Sequence, residues 1–224
     1  MRLILIRHAE TANNRDSLVQ GQADIPLSPL GEQQAAALGD WLRQTPLHAV
    51  IASPLRRALT TAEAVAAGRG LAVETDPALM EMHVGAMEGL SSAAMRATHP
   101  EFLRAWGTES GSTLEMPGGG ESLTQVQARA WRVVERLHHA YPDETVALVS
   151  HNFVLGCMLT RALELPLTAF RRFRFSVSGA STLHFRADRT VLVRFNDTCH
   201  LDRAGLPTTD PWLTRAPSRP RPQD

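Results

Sequence analysis

Two short, unbroken apolar runs, Leu3–Ile6 and Val146–Val149, constrain the fold of this 224-residue chain more than any other feature. A strand with one wetted face alternates apolar and polar residues, so a strand apolar at every position must be covered on both faces. Ala49–Ala52 is a weaker run of the same kind. Helical patterns lie between and after these runs. Ser28-Pro29 offers an N-cap and a residue with preset φ, after which Leu38, Trp41 and Leu42 recur at helical spacing. Ser53-Pro54 repeats that signal before a helix to about Ala67. Leu123, Val126, Ala130, Val133, Val134 and Leu137 make the clearest apolar stripe. Strand patterns return at Arg172–Val177, Thr182–Arg186 and Val191–Phe195. Strands alternating with helices predict an α/β fold with a largely parallel sheet.

Residues 86–120 fit this alternation poorly. They carry Met87, Met95, Phe102, Trp106 and Met116, then a Met-Pro-Gly-Gly-Gly turn. They read equally as an insertion that covers a site or as ordinary connecting helices. From Gly205 the chain has five prolines and no periodicity, which predicts a loosely attached Pro/Arg-rich tail at 205–224 behind one domain at 1–204.

The formal net charge is +0, and no long block has one sign, so a nucleic-acid or anionic membrane surface is not expected; a local anion pocket stays open. No apolar run approaches the roughly 20 residues that cross a bilayer, and Met1–Glu10 reads as a strand rather than a signal peptide. Two cysteines without Cys-x-x-Cys spacing give no disulfide framework, so a reduced, cytoplasmic location is expected. Every basic side chain other than histidine is arginine, which rules out a lysine Schiff base and a P-loop lysine. His138-His139 sits on a helix, where adjacent residues diverge, and no metal-ligand spacing occurs, so neither metal nor cofactor is expected. Oligomeric state is not encoded legibly; a homodimer is left open.

The first apolar run ends in Arg7-His8-Ala9-Glu10-Thr11, and the later one in Ser150-His151-Asn152. Ligands of parallel α/β sheets bind beyond the carboxyl ends of strands, so both histidines can face one site. Arg7-His8-Ala9-Glu10-Thr11 with Asn14 resembles the Arg-His-Gly-Glu-Thr…Asn signature of the histidine phosphatase superfamily, which includes the cofactor-dependent phosphoglycerate mutases. The resemblance continues in order through Gly21-Gln22…Asp24…Pro26-Leu27-Ser28…Gly31, Ser53–Ala58 with Thr61-Ala62-Glu63, Glu81 with Gly85 and Glu88-Gly89, Gly120-Glu121-Ser122, and Val149-Ser150-His151. It spans about residues 2–155.

The resemblance implies a phosphoglycerate mutase-like, three-layer α/β/α fold and a phosphoric monoester hydrolase acting on a small phosphorylated metabolite. It implies His8 as nucleophile, Arg7 and Arg57 as phosphate clamps, His151 as a donor to the transferring phosphoryl group, and Glu81 as general acid. Asn14, Gln22 and Asn152 follow as second-tier phosphate or substrate contacts. Arginine suits the clamp because its planar fork stays charged and donates two parallel hydrogen bonds. Two positions depart from the pattern: Ala9 and Asn152 stand where the family commonly has glycine. Alanine is penalised if the site needs a positive φ. Mutase members usually carry Glu-Arg-His-Tyr-Gly and a later Asn-Lys pair; here Glu81-Met82-His83-Val84-Gly85 leads to Ser91-Ser92, so hydrolysis is preferred over mutase transfer. Val84, Met87 and the apolar 86–120 segment suggest tolerance of a partly apolar substrate. A non-catalytic phospho-ligand module on the same fold is the remaining alternative, disfavoured because His8, Glu81 and His151 are all present.

Overall fold

The computed structural model describes residues 1–208. In chain order its elements are β1 (Arg2–Arg7), α1 (Ala12–Arg15), α2 (Pro29–Leu42), β2 (Ala49–Ala52), α3 (Arg56–Ala66), β3 (Val73–Thr75) and α4 (Ser92–Thr98). There follow α5 (Pro100–Trp106), α6 (Leu123–Ala140), β4 (Thr145–Ser150), α7 (Asn152–Ala162), β5 (Ala180–Phe185), β6 (Thr190–Asp197) and α8 (Cys199–Ala204).

Leu3 and Leu5 of β1 enter one core with Leu148 of β4 and the apolar stripes of α6 and α7. Ile4 and Ile6 enter a second core with Val149, Val50, Leu38, Ala62 and Val65, from β4, β2, α2 and α3. Successive strand residues point to opposite faces, so the unbroken apolar runs are the mark of a sheet sandwiched between two helical layers. The sheet has six strands in the order β3-β2-β4-β1-β5-β6. β3, β2, β4 and β1 pair in parallel, whereas β5 is antiparallel to β1 and β6 to β5. The three-layer, mostly parallel architecture is therefore as expected.

The register of β1 on β4 matters most for function: Ile6 lies opposite Val149 and Arg7 opposite Ser150. His8 and His151 are the next residues of these two adjacent parallel strands, so both leave the sheet at one level. The His8 amide still donates to the Ser150 carbonyl at 3.0 Å.

Local chemistry explains most helix starts. Ser28 Oγ accepts from the Gly31 amide at 3.0 Å with Pro29 behind it. Ser122 and Gln125 form a capping box at the start of α6, after the left-handed Gly118 and Gly119. Helix α3 begins two residues later than Ser53-Pro54 suggests. Ser53 is buried at the end of β2, and the first amide of α3, on Arg56, donates to Asp24 Oδ1 at 2.7 Å instead.

Arg172–Val177 is not a strand. Residues Leu167–Arg172 form a 3₁₀ turn, and 173–177 run extended outside the sheet. The alternation of Phe173, Phe175 and Val177 resembles a strand, but β1 already has β4 and β5 on its two edges. The segment instead buries Phe175 and Val177. The two later strand patterns form the antiparallel pair β5–β6. Residues 86–120 fold as α4, α5 and 3₁₀ turns at Gly85–Met87 and Glu109–Thr113. Of the Pro/Arg-rich tail, Pro207 accepts from Gln34 Nε2 at 2.9 Å; 209–224 lie outside the described residues. Among the described residues, no helix is long and apolar enough to cross a membrane.

Candidate active site

The loop after β1 carries His8 and is held on several sides. The Ser178 amide donates to the His8 carbonyl at 3.1 Å, and the Ala9 amide donates to Thr61 Oγ1 at 3.1 Å. The Glu10 amide donates to Gln34 Oε1 at 3.1 Å, and Ser28 Oγ donates to Glu10 Oε1 at 2.6 Å. Helix α2 approaches this loop so closely that a Cβ on Gly31 would stand 2.1 Å from the Glu10 carbonyl oxygen. Only glycine fits there. Ala9 is not among the residues with positive φ, so its methyl carries no backbone strain.

The rings of His8 and His151 lie 5.1 Å apart, tilted by 54°. His8 Nδ1 is 2.7 Å from the Ala9 carbonyl. A carbonyl only accepts, so Nδ1 carries the proton and Nε2 the lone pair. Burial, then Arg57, then Arg7 push the His8 pKa well below the usual histidine range, which keeps the ring neutral. His151 is neutral for the same leading reason, burial, with Arg57 next. Its tautomer is the opposite one. Arg57 Nε–H donates to His151 Nδ1 at 3.2 Å, which leaves the proton on Nε2. That Nε2–H is buried with no partner among the described residues.

Arg57 is wholly buried. Besides His151, its Nη1 donates to the Ala23 carbonyl at 2.8 Å and its Nη2 to the Gly21 carbonyl at 2.6 Å. Burial lowers its pKa to about 10, so it remains a cation near neutrality. The loop that offers those carbonyls is fixed by Glu88, whose carboxylate accepts from the amides of Gly21, Gln22 and Ala23 at 2.9, 3.0 and 3.4 Å.

Glu81 is 4% exposed. Its Oε1 accepts from the Met82 amide at 2.9 Å and its Oε2 from the Phe153 amide at 3.3 Å. Burial nevertheless outweighs these bonds and raises its pKa. Its backbone is pinned from two directions: Gln22 Nε2 and Arg129 Nη2 donate to the Glu81 carbonyl at 3.0 and 3.1 Å. Ser150 Oγ holds the same segment by donating to the Leu79 carbonyl at 2.8 Å.

A cavity of about 560 Å³ opens over these groups, and Arg7, His8, Asn14, Glu81 and Asn152 line it. Arg57, His151 and Gln22 are not part of that lining. His151 and Arg57 stand behind, joined to the cavity through the His8–His151 pair. Gln22, expected as a phosphate or substrate contact, uses its Nε2 on the Glu81 backbone and does not line the cavity, while its own backbone amide donates to Glu88. Asn14 uses its carbonyl oxygen in the Thr11 capping box, which leaves its Nδ2 as the group it offers. Arg7 Nη1 donates to the Phe175 carbonyl at 2.6 Å. The 86–120 segment supplies Met87, Met95, Phe102 and Trp106 to the wall.

Sequence reasoning missed Arg129, Ser178 and Phe153, and gave Glu88 and Thr61 no role. Arg129 was hidden as an arginine on a helix face; it pairs with Glu121 at 2.7 Å while reaching the Glu81 carbonyl. Ser178 was invisible because it acts through a left-handed backbone (φ 60°). Among the described residues, no group of three or more His, Cys, Asp or Glu side chains is placed to hold a metal ion.

Two buried neutral imidazoles with opposite tautomers thus lie at adjacent strand ends, with a buried arginine and a carboxyl of raised pKa nearby. The family description of the histidine phosphatase superfamily (branch 1) matches residues 3–198. The chain belongs to that superfamily. This histidine phosphatase is 32% identical over 201 residues to phosphoserine phosphatase 1 of Hydrogenobacter thermophilus, covering 90% of this chain and 94% of that one. It is 32% identical over 213 residues to a Yersinia enterocolitica protein named probable phosphoglycerate mutase GpmB, covering 92% and 97%. Among solved structures, mycobacterial glucosyl-3-phosphoglycerate phosphatase with VO3 is similar at a TM-score of 0.79 and 32% identity, covering 87% of this chain and 98% of that one.

Proposed function

We propose that this histidine phosphatase hydrolyses a phosphate monoester of a small metabolite through a phosphohistidine on His8. The observation that carries the reading is the pair of fixed tautomers: a lone pair on His8 Nε2 and a proton on His151 Nε2, 5.1 Å apart by ring centre. One atom is a nucleophile and the other a donor, without any proton having to move first.

His8 Nε2 attacks phosphorus and the P–O ester bond breaks. Positive charge developing on the ring is stabilised through Nδ1–H by the Ala9 carbonyl. The leaving oxygen takes a proton from Glu81, whose burial raises its pKa and so its protonated fraction. Arg7 and His151 Nε2–H are assigned to the equatorial oxygens, where phosphoryl transfer concentrates its demand for positive charge, and Arg57, held on His151, Ala23 and Gly21, adds its charge from behind. Water then attacks phosphorus and gives its proton to the Glu81 carboxylate. The P–N bond breaks, releasing inorganic phosphate and restoring neutral His8 and protonated Glu81. Asn14 and Asn152 are assigned to the substrate.

The mutase alternative requires a second anion to be held while the intermediate reorients. Val84 and Met87 occupy the cavity wall near Glu81, and the arginine, tyrosine and lysine of the mutase pattern are absent. Hydrolysis is thus the better-supported outcome. Reactions with p-nitrophenyl phosphate quenched in alkaline denaturant should yield an acid-labile, base-stable phosphoprotein and free phosphate; His8→Ala should lose both. Unchanged turnover in that variant rejects the mechanism, and no turnover of any phosphate ester favours the non-catalytic module.

A further inference from the structure

The cavity is larger than a phosphoryl group needs, and its remaining wall is mostly apolar. Phe102, Trp106 and Phe153 lie along it with Val84, Met87 and Met95. The aromatic part is preformed: Trp106 stacks on Phe102 at 6.4 Å, and meets Phe153 and Phe170 edge-on at 6.1 and 5.8 Å. The Arg171 guanidinium lies over the Trp106 ring, 4.5 Å from its centre, and donates to the Trp106 carbonyl. One group in this wall is out of keeping. Trp106 Nε1–H is buried and has no hydrogen-bond partner among the described residues. Indole nitrogen only donates, so no flip or tautomer relieves it. Buried donors are almost always met.

Gln20 repeats the pattern. Its side chain lines the cavity, and one end of its amide is unmet while the other engages Thr11 Oγ1 at 2.8 Å. Whichever way that amide is turned, one polar end faces unpaired. Two arginines, Arg96 and Arg174, and one carboxylate, Asp16, also line the cavity.

We propose that the leaving group of the substrate is a flat, apolar alcohol or phenol bearing a carbonyl or carboxylate oxygen, and that this oxygen accepts the hydrogen bond of Trp106 Nε1–H. This rests on the phosphomonoesterase reading of the same cavity. The phosphate lies at His8, the ring against Phe102 and Phe153, and the distal oxygen at Trp106. A small polyanion without an apolar body would leave both the rings and the indole N–H unanswered.

Binding is best read with inert analogues, so that leaving-group reactivity plays no part. 4-Acetylbenzylphosphonate and 4-isopropylbenzylphosphonate share size and shape and have a C–P bond that cannot be hydrolysed this way. By calorimetry on the whole protein, the ketone should bind roughly 3- to 10-fold tighter, as one neutral hydrogen bond permits. In Trp106→Phe, which keeps a ring but removes the donor, the two should converge. Equal or tighter binding of the isopropyl compound to the wild type overturns the proposal, as does a preference that survives in Trp106→Phe. Should that variant not fold, the wild-type comparison decides alone. Phosphonoacetate, a small polyanion, should bind more weakly than both; tighter binding overturns it too. His8-dependent turnover of p-nitrophenyl phosphate is measured in parallel. Its absence defeats the phosphatase reading, whereas turnover with the wrong order of affinities defeats only this inference.

Discussion

Arg57 sets the protonation of His151: its Nε–H donates to Nδ1 at 3.2 Å, and the imidazole proton is thereby confined to Nε2. The guanidinium is both a buried positive charge beside the two imidazoles and the device that points its neighbour's proton. Its other two nitrogens are anchored on Ala23 and Gly21, so its plane cannot turn.

Arg57→Lys should therefore behave as a severe change although charge is kept. A single ammonium cannot reach two carbonyls and an imidazole at once. A fall of about 10²- to 10³-fold in kcat is expected, similar to losing one oriented transition-state donor. Nitrogen chemical shifts of His151 should show mixed tautomers. A variant with near-normal kcat and a single Nε2–H tautomer contradicts this account.

Glu81→Gln removes the proton that the leaving oxygen receives. Alkyl phosphates, whose alkoxides leave poorly, should lose about 10²- to 10⁴-fold in kcat. p-Nitrophenyl phosphate should lose much less, since its phenolate leaves unaided. Equal losses on both ester types would place the acid elsewhere.

The pH profile follows from the same two groups. His8 must be neutral to attack, and its lowered pKa keeps it so; the acid limb of kcat/KM should fall below the ordinary histidine value of about 6.5. Glu81 must be protonated to act first, and its raised pKa places the alkaline limb above the ordinary value of about 4.3. Glu81→Gln should abolish the alkaline limb and keep the acid one. An alkaline limb unchanged in that variant speaks against the assignment.

Acid stability offers a check that needs no substrate. His200 is buried against Trp41 at 5.4 Å, with Nε2 3.1 Å from Ser178 Oγ, and burial lowers its pKa to about 4. Its folded pKa is below its unfolded one, so between about 6.5 and 4 the unfolded chain takes up a proton that the folded chain refuses. Tm should fall as pH is lowered through that window, with His8 and His151 acting in the same direction. His200→Gln should flatten the slope; an unchanged slope would mean that this ring is not held neutral.

Ala9 invites reversion to the glycine common at this position. Its φ is ordinary, so Ala9→Gly relieves nothing and frees the unfolded chain. The variant should be less stable by about 0.4–1 kcal/mol in denaturant titration. A gain in stability would reveal strain at Ala9.

The sheet was legible because its two central strands are apolar at every position, a pattern that only burial on both faces explains. His8 and His151 were legible because both follow such runs. What was not legible depends on contacts made by backbone. Arg172–Val177 alternates like a strand, and nothing in its own residues reveals that β5 has already taken the free edge of β1. Gln22 stands in a family block as a substrate contact, yet its Nε2 turns to the Glu81 carbonyl while Glu88 gathers the loop amides. Arg129 reads as one more helix-surface arginine until the fold brings it to Glu81. The 86–120 segment broke the alternation because it builds the wall of a cavity rather than a layer of the sheet.

The place of β1 has a consequence for synthesis. The first strand made lies between β4 and β5, whose residues emerge roughly 140 to 180 positions later. During translation, β1 must wait without its sheet neighbours until β4 and β5 have left the ribosome. Contacts this remote in sequence make folding slow. A nascent chain that ends before residue 150 has His8 without His151 beside it, so the pair of imidazoles comes into being only after β4 has been made.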